Sequence, residues 1–167
     1  MKMAGFYDES ISNGLGWRAV LFVSGCPHHC PGCHNEVAQD YSYGQDFNKQ
    51  EILDRICDNS ILKGITISGG EPLCSQNVAE VVDFIKEVKN VRPNFNVWCY
   101  TGYTLEQLKE RNDEITNEAL NNIDVLVDGR FVEEKKNPTL KFRGSENQRI
   151  LDVPKCLNEK KIVELSI

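Results

Sequence analysis

Residues 19–33 read AVLFVSGCPHHCPGC, an apolar run followed at once by three closely spaced cysteines. The short run Ala19–Ser24 predicts a buried β-strand. Cys26, Cys30 and Cys33 follow it with the spacing C-x3-C-x2-C. One loop therefore carries three thiols to the end of a strand, and this arrangement guides the interpretation of the rest of the chain.

Strand patterns and helical patterns alternate along most of the sequence. Further strands are predicted at Gly64–Ser68, Asn96–Tyr100 and Ile123–Val127. Helices are predicted at Asn48–Cys57, over the apolar stripe from Val78 to Val88, and from Thr104 onward. The tail is harder to interpret, with β-like pieces near Gln148–Val153 and Lys161–Leu165. Alternation of this kind is typical of βα units around a parallel sheet, in which ligands bind beyond the carboxyl ends of the strands. We therefore expect an α/β fold whose Cys-rich and Gly-rich segments gather on one face.

Length and charge limit the class of protein. The chain has 167 residues, which favours a single domain over residues 1–167. Its 19 Lys and Arg against 25 Asp and Glu give a formal net charge of −6, so the basic face that nucleic-acid binding needs is not expected. No apolar run approaches the roughly 20 residues of a membrane span, and Asp8 and Glu9 interrupt any secretory leader. We expect a cytoplasmic protein with neither nucleic acid nor membrane as a partner.

The cysteines favour a metal centre over disulfides. Seven is an odd number, which does not suit a closed set of disulfides. Three clustered thiolates can hold three corners of an iron–sulfur cluster and leave one iron open to substrate. The alternative is zinc, with His28, His29 or His34 of the same loop as the fourth ligand. Outside that alternative, His28 and His29 are interpreted as solvated polar residues. The scattered cysteines are interpreted as small buried hydrophobes: Cys57, Cys74, Cys99 and Cys156.

A second feature, Gly69-Gly70-Glu71-Pro72, follows the strand Gly64–Ser68. Two glycines at a strand end let the backbone approach a ligand closely, because no Cβ intervenes. Glu71 can accept a hydrogen bond from an ammonium group. Alone, the motif is equally compatible with an ordinary βα turn, and its value comes from its position about forty residues after the cysteine loop.

The pairing of these two motifs resembles the radical S-adenosylmethionine superfamily. The resemblance implies a short, incomplete (open) TIM-type barrel made of parallel βα repeats. It also implies a [4Fe–4S] cluster on Cys26, Cys30 and Cys33, whose open iron binds S-adenosylmethionine. The cofactor would then contact two sets of residues, Gly32, Cys33 and His34 on one side and Gly69, Gly70 and Glu71 on the other. Many members carry an aromatic residue directly before the third cysteine, whereas this chain has Gly32.

A closer resemblance covers almost the whole chain. The motifs that carry it read NGxGxR from Asn13, LFVSGC from Leu21, CPGCHN from Cys30, WxYTGY from Trp98, DVLVDGxF from Asp124 and RGSxNQR from Arg143. They are similar to those of the proteins that activate anaerobic ribonucleoside-triphosphate reductases. This family implies a radical enzyme that takes an electron from a reduced flavodoxin-type donor and cleaves S-adenosylmethionine. The resulting 5′-deoxyadenosyl radical would take hydrogen from a glycine near the C-terminus of the reductase.

Two alternatives and one segment stay open from the sequence. A radical enzyme acting on a small molecule would need additional substrate-binding residues, for which 167 residues leave little material. A zinc or electron-transfer module without enzymatic activity is the other alternative. The segment Arg143–Arg149 predicts either a solvated turn or a surface that meets the reductase or borders the cofactor. In the second case Arg143 and Arg149 are the predicted partner contacts.

Overall fold

A seven-stranded sheet organises the computed structural model, which describes residues 1–167. The strands are β1 (Lys2–Ser10), β2 (Arg18–Val23), β3 (Gln45–Asp46), β4 (Gly64–Gly69), β5 (Asn96–Tyr100), β6 (Val125–Asp128) and β7 (Arg149–Asp152). They lie in the order β3-β1-β2-β4-β5-β6-β7. The central strands β2, β4, β5 and β6 are parallel to one another, as the sequence predicts. Both edges are antiparallel, because β1 pairs with β2 and β3 in that sense and β7 pairs with β6.

Five α-helices connect and cover the strands. They are α1 (Lys49–Cys57), α2 (Val78–Val91), α3 (Leu105–Glu110), α4 (Glu114–Asn122) and α5 (Val153–Glu159). Two predicted starts are confirmed by their caps. The Asn48 side chain accepts a hydrogen bond from the backbone N–H of Glu51, and Thr104 and Gln107 form a reciprocal capping box.

The edges of the sheet differ from the prediction. Strand β1 was not predicted, because its sequence lacks the apolar run that marks the central strands. None of its residues is buried. It pairs with β3 only through Lys2 and Met3, which leaves the outer edge of its remaining residues without a strand partner. The predicted β-like piece Lys161–Leu165 pairs with β7 without forming a regular strand. Glu164 makes an isolated antiparallel bridge to Leu151, and backbone hydrogen bonds join Asp152 to Val163 and Leu165 to Ile150. A sheet that is parallel throughout is therefore not what the chain forms.

The two faces of the sheet bury different sets of residues. A core of 28 residues packs the helices against one face, with Leu21, Ile67 and Leu126 among them. A smaller cluster on other strand positions includes Trp98, Val125, Val127 and Ile150, with Phe142 packed against it. Alternate strand residues thus enter different clusters, as the pleat of a strand requires.

A buried arginine ties the amino ends of the central strands together. The Arg18 side chain donates to Thr66 Oγ1 at 2.8 Å and to the carbonyl oxygens of Ile65 and Asn96, each at 2.9 Å. Its guanidinium lies 5.5 Å from the centre of the Trp98 ring. Burial lowers the pKa of Arg18 to about 10, which records the cost of keeping this cation out of water. No helix of the chain combines the length and the apolar character that crossing a membrane requires.

Candidate functional site

A cavity of about 620 Å³ lies at the carboxyl ends of the parallel strands. Segments that follow four successive strands of the sheet line it: the cysteine loop after β2, Gly69-Gly70 at the end of β4, Thr101-Gly102 after β5 and Gly129-Arg130 after β6. The prediction that the Cys-rich and Gly-rich segments gather on one face is confirmed. The cavity is therefore the candidate site.

The three clustered cysteines share this cavity as free thiols. Cys26, Cys30 and Cys33 all line it, and each is half-buried. The base of their loop is fixed by backbone hydrogen bonds from Gly25 to Ala38 and from Cys26 to Gln39, at 2.7 and 3.1 Å. Burial raises the pKa of the Cys26 thiol to about 11. No three His, Cys, Asp or Glu side chains meet closely enough to hold a single ion. Three thiols on the lining of one cavity fit a cluster, because a cluster offers a different iron to each thiolate.

Gly69 and Gly70 line the same cavity from the end of β4. At Gly70, however, a Cβ would lie 2.4 Å from the carbonyl oxygen of Gly25 and 2.6 Å from that of Ala38. The expectation that such a Cβ would intrude on the cofactor needs correction, since it would first strike the base of the cysteine loop. Gly70 and Glu71 also donate backbone hydrogen bonds to Val23 and Gly25, each at 2.7 Å. The glycine therefore allows close contact between two segments of the chain itself.

Glu71 is fully buried and does not line the cavity. Its Oε1 accepts from the N–H of Gly102 at 2.7 Å and lies 2.8 Å from Nε2 of His28. Its Oε2 accepts from the N–H of Leu73 at 2.8 Å and from Oγ1 of Thr101 at 2.9 Å. All of these partners belong to the chain. A direct contact between this carboxylate and an ammonium group therefore stays a prediction, and one that competes with four existing hydrogen bonds.

The residues around the third cysteine divide into two groups. His34 lines the cavity, and its ring lies 5.0 Å from that of Phe131, which also lines it. Gly32 does not line the cavity, and a Cβ there would lie 3.0 Å from Cδ of Glu133. Of the six predicted cofactor contacts, four thus face the cavity: Cys33, His34, Gly69 and Gly70.

The segment Arg143–Arg149 borders the cavity through Gly144 and Gln148. It is ordered by Gln148, whose side chain accepts from Gly144 and Ser145 and donates to the carbonyl oxygen of Gly129. The Arg143 side chain donates to the Gln148 carbonyl oxygen. Arg149 donates to Asp128 and Glu106, with its closest contact to each at 2.6 Å. Both predicted partner contacts are thus engaged within the chain, and a role at the reductase surface stays a prediction.

Asp128 also has a structural role. It is almost fully buried, and besides Arg149 it accepts from the backbone N–H of Leu105 at 2.8 Å. This bond satisfies an N–H in the first turn of α3. Asp128 therefore caps the first turn of α3 from the end of β6.

Two interpretations of polar and sulfur side chains are wrong. His28 is not solvated, because only 4% of its side chain is exposed. Cys57 is exposed, whereas Cys74, Cys99 and Cys156 are buried as predicted. His29 is exposed, as expected.

Some cavity residues escaped the sequence reasoning. Phe22, Ser68 and Tyr100 line the cavity from adjacent parallel strands. Burial raises the pKa of the Tyr100 phenol above its ordinary value. The alternation of side chains along each strand could have identified them. Phe22 and Ser68 lie one residue before the ends of β2 and β4, and Tyr100 is the last residue of β5.

Comparison with known proteins shows which family the chain belongs to. The family described as "4Fe-4S single cluster domain" matches residues 12–151, so the fold and its cysteine loop define an iron–sulfur protein. An anaerobic ribonucleoside-triphosphate reductase-activating protein of Pasteurella multocida is 41% identical over 154 residues, covering 90% of this chain and 96% of the relative. Activating proteins of Escherichia coli K12 and of Enterobacteria phage T4 are 40% and 39% identical over 147 residues, covering 86% of this chain and 93% and 89% of the relatives. The chain belongs to the family of anaerobic ribonucleoside-triphosphate reductase-activating proteins.

Proposed function

We propose that the chain activates an anaerobic ribonucleoside-triphosphate reductase as a radical S-adenosylmethionine enzyme. A [4Fe–4S] cluster held by Cys26, Cys30 and Cys33 would accept one electron from a flavodoxin-type donor and pass it to the sulfonium of S-adenosylmethionine. The bond between sulfur and the 5′-carbon would then break, giving methionine and a 5′-deoxyadenosyl radical. That radical takes a hydrogen atom from a glycine in the C-terminal region of the reductase. The products are 5′-deoxyadenosine and a glycyl radical stored on the reductase.

One observation carries the proposal: the three thiols and the Gly69-Gly70 strand end line a single cavity. We assign Cys26, Cys30 and Cys33 as cluster ligands. Cys33, His34, Gly69 and Gly70 flank the space next to them, which supports contacts to S-adenosylmethionine. Gly32 and Glu71 do not line the cavity, so they would act on S-adenosylmethionine through the residues that do. No general acid or base is needed, because the transferred species is a hydrogen atom.

The residues at the mouth of the cavity support the proposal that the substrate is a protein. Three large apolar side chains on its lining are strongly exposed: Tyr7 by 56%, Val37 by 55% and Tyr43 by 41%. Exposed apolar residues that adjoin a site are typical of surfaces that another protein covers. A loop of the reductase that carries the glycine would cover them and exclude water from the radical.

The test compares cofactor cleavage with and without the reductase. The protein is loaded with iron and sulfide under anaerobic conditions and given a reductant and S-adenosylmethionine. We expect 5′-deoxyadenosine to accumulate only when the reductase is present, together with the electron paramagnetic resonance signal of a glycyl radical. A reductase whose C-terminal-region glycine is replaced by alanine is the matched control and should give no signal. Equal yields of 5′-deoxyadenosine with and without reductase would contradict the proposal.

A further inference from the structure

The loop between Cys26 and Cys30 contains two adjacent histidines in opposite environments. His29 is exposed, and its Nδ1 lies 3.0 Å from Oε1 of Gln39. His28 is buried, and its Nε2 lies 2.8 Å from Oε1 of Glu71. No other side-chain hydrogen bond joins residues 27–33 to the ends of the strands. Within this part of the loop, His28 is therefore the one side chain that is hydrogen-bonded to a segment following a strand.

Glu71 is the centre to which His28 is attached. The carboxylate accepts from the N–H of Leu73, from Oγ1 of Thr101 and from the N–H of Gly102, which are all donors. Because a carboxylate has only lone pairs to offer, Nε2 of His28 carries the hydrogen of the fourth bond. Through these four hydrogen bonds, Glu71 joins the cysteine loop to the segments that follow β4 and β5.

The ring of His28 is also held from its sides. It packs edge-on against Tyr103, with 4.5 Å between ring centres. Arg111 lies 4.4 Å from the centre of the Tyr103 ring and donates to the carbonyl oxygen of Leu73 at 2.6 Å. At Gly102, a Cβ would lie 2.5 Å from Cδ2 of His28, so the backbone approaches the ring as closely as glycine allows. Packing and hydrogen bonding together hold the His28 ring in place.

We propose that His28 is a positioning residue that locks the cysteine loop, through Glu71, to the strand ends that flank the cofactor site. His28 and its neighbours Cys26 and Cys30 line the cavity with Gly70 and Gly102. Releasing His28 frees the loop from the segments that follow β4 and β5, which line the same cavity. This inference rests on the proposed function for its cofactor, and on the cysteine loop alone for its effect on the cluster.

The test uses variants of the two adjacent histidines in the full-length, cluster-loaded protein. His28→Leu removes the donor and keeps a similar apolar volume. His28→Gln keeps an N–H that can reach Glu71, whereas His28→Asn carries the same amide on a shorter side chain. His29→Leu is the matched control within the same loop. Iron content and thermal stability are measured first, so that each variant is compared as a folded, loaded protein.

Two readouts then separate positioning from folding. The first is the dissociation constant of S-adenosylmethionine, titrated through its change in the paramagnetic resonance spectrum of the reduced cluster. The second is the rate at which a chelator removes iron when no S-adenosylmethionine is present. We expect His28→Leu and His28→Asn to weaken binding at least tenfold and to lose iron several times faster. His28→Gln and His29→Leu should stay within twofold of the unchanged protein.

The outcomes distinguish the two proposals. If His28→Leu and His28→Asn match His29→Leu in both readouts, the positioning role of His28 is overturned. If His28→Leu does not fold, the comparison of His28→Gln with His28→Asn decides, and equal behaviour of these two overturns the role. If the unchanged protein binds no S-adenosylmethionine, the proposed function fails. The chelator rates still decide whether His28 positions the cysteine loop.

Discussion

The two ends of the central sheet are each held by one buried ionic side chain, and the two side chains do different things. Arg18, at the amino ends, donates hydrogen bonds to β4 and β5 and lies beside the Trp98 ring. Glu71, at the carboxyl ends, accepts hydrogen bonds from two strand ends and from the cysteine loop. Arg18 joins regular strands, whereas Glu71 joins loops that surround a cavity. We infer that the amino end mainly provides stability and that the carboxyl end mainly provides function.

The largest expected effect is at the carboxyl end. Replacing Cys26, Cys30 or Cys33 by serine removes one of three thiolates, and we expect the visible absorbance of the cluster and activation of the reductase to disappear. Cys57→Ser is the control, because Cys57 is exposed and far along the chain from the loop. Iron content and absorbance of the reconstituted proteins give the measurement. Loss of iron from Cys57→Ser to the same degree would contradict the assignment of ligands.

The second prediction tests the amino end. Arg18→Met keeps an unbranched side chain but removes the hydrogen bonds to Thr66 Oγ1 and to the carbonyl oxygens of Ile65 and Asn96. A hydrogen bond that involves a charged group contributes about 1.5–3 kcal/mol, so the free energy of unfolding should fall markedly. Arg55→Met is the control, since Arg55 forms an exposed ion pair with Asp8, which is worth about 0–1 kcal/mol. Denaturant titration measures both.

The same two variants also test the difference between the two ends of the sheet. We expect Arg18→Met, at temperatures where it is folded, to bind as much iron as the unchanged protein. If Arg18→Met lost its cluster while its unfolding midpoint stayed the same, the division between a stabilising end and a functional end would be wrong.

The third prediction concerns the backbone contact at Gly70. Gly70→Ala places a methyl group against the carbonyl oxygens of Gly25 and Ala38, so the base of the cysteine loop must shift. We expect reduced iron content and reduced activation. Gly5→Ala is the matched control, because Gly5 also lines the cavity and its nearest contact for a Cβ is ordinary, at 3.8 Å from Phe22. Equal iron content in the two variants would show that the loop tolerates the shift.

The smallest expected effect is at Arg149. Its hydrogen bonds lower the pKa of Glu106 below the ordinary value, so this pairing stabilises the folded state at neutral pH. That contribution is lost as the pH falls through the lowered pKa. We therefore expect Glu106→Gln, which leaves Arg149 paired with the buried Asp128, to be slightly less stable at pH 7 and equal to the unchanged protein in strong acid, measured as unfolding midpoints against pH.

Arg149 also tests the predicted contact with the reductase. If glycyl radical formation by folded Arg149→Ala protein proceeds at the rate of the unchanged protein, the arginine has only the structural role seen here. A slower rate at equal stability would support the partner contact. Lys109→Ala gives the control, because it changes a basic residue in the last turn of α3, whereas Arg149 contacts the first turn through Glu106.

The sequence predicted the central sheet well because local signals and burial agree there. The strands β2, β4 and β5 are short apolar runs, and a glycine follows each of them within two residues. The helices α1 and α3 carry caps that can be recognised three residues apart. At the edges these signals are missing: β1 is exposed, and it becomes a strand only because β2 offers it a partner. Pairing between distant segments cannot be obtained from local patterns.

The candidate site divides in the same way. The cysteines and Gly69-Gly70 were found because their spacing in the sequence is itself the signal. The role of His28 was missed, because its partner Glu71 is 43 positions away and an isolated loop histidine gives no sign of burial. Likewise, Gly70 lines the cavity, but the contact with the cysteine loop that its missing side chain allows has no local signal in the sequence. Spacing identifies the groups that do chemistry better than the contacts that hold them.

The unpaired outer edge of β1 has a consequence for handling the protein. Exposed backbone N–H and C=O groups on an edge strand are a template on which a second chain can add a strand and start aggregation. Asp8 and Glu9 are exposed on this strand. Asp8 is paired with Arg55, so Glu9 carries the uncompensated negative charge on this edge. Edge-to-edge stacking of identical molecules brings such charges together, which like-charge repulsion makes unfavourable. Ionic strength in storage buffers should accordingly be kept low, since salt screens that repulsion over distances of about 10 Å at 0.1 M.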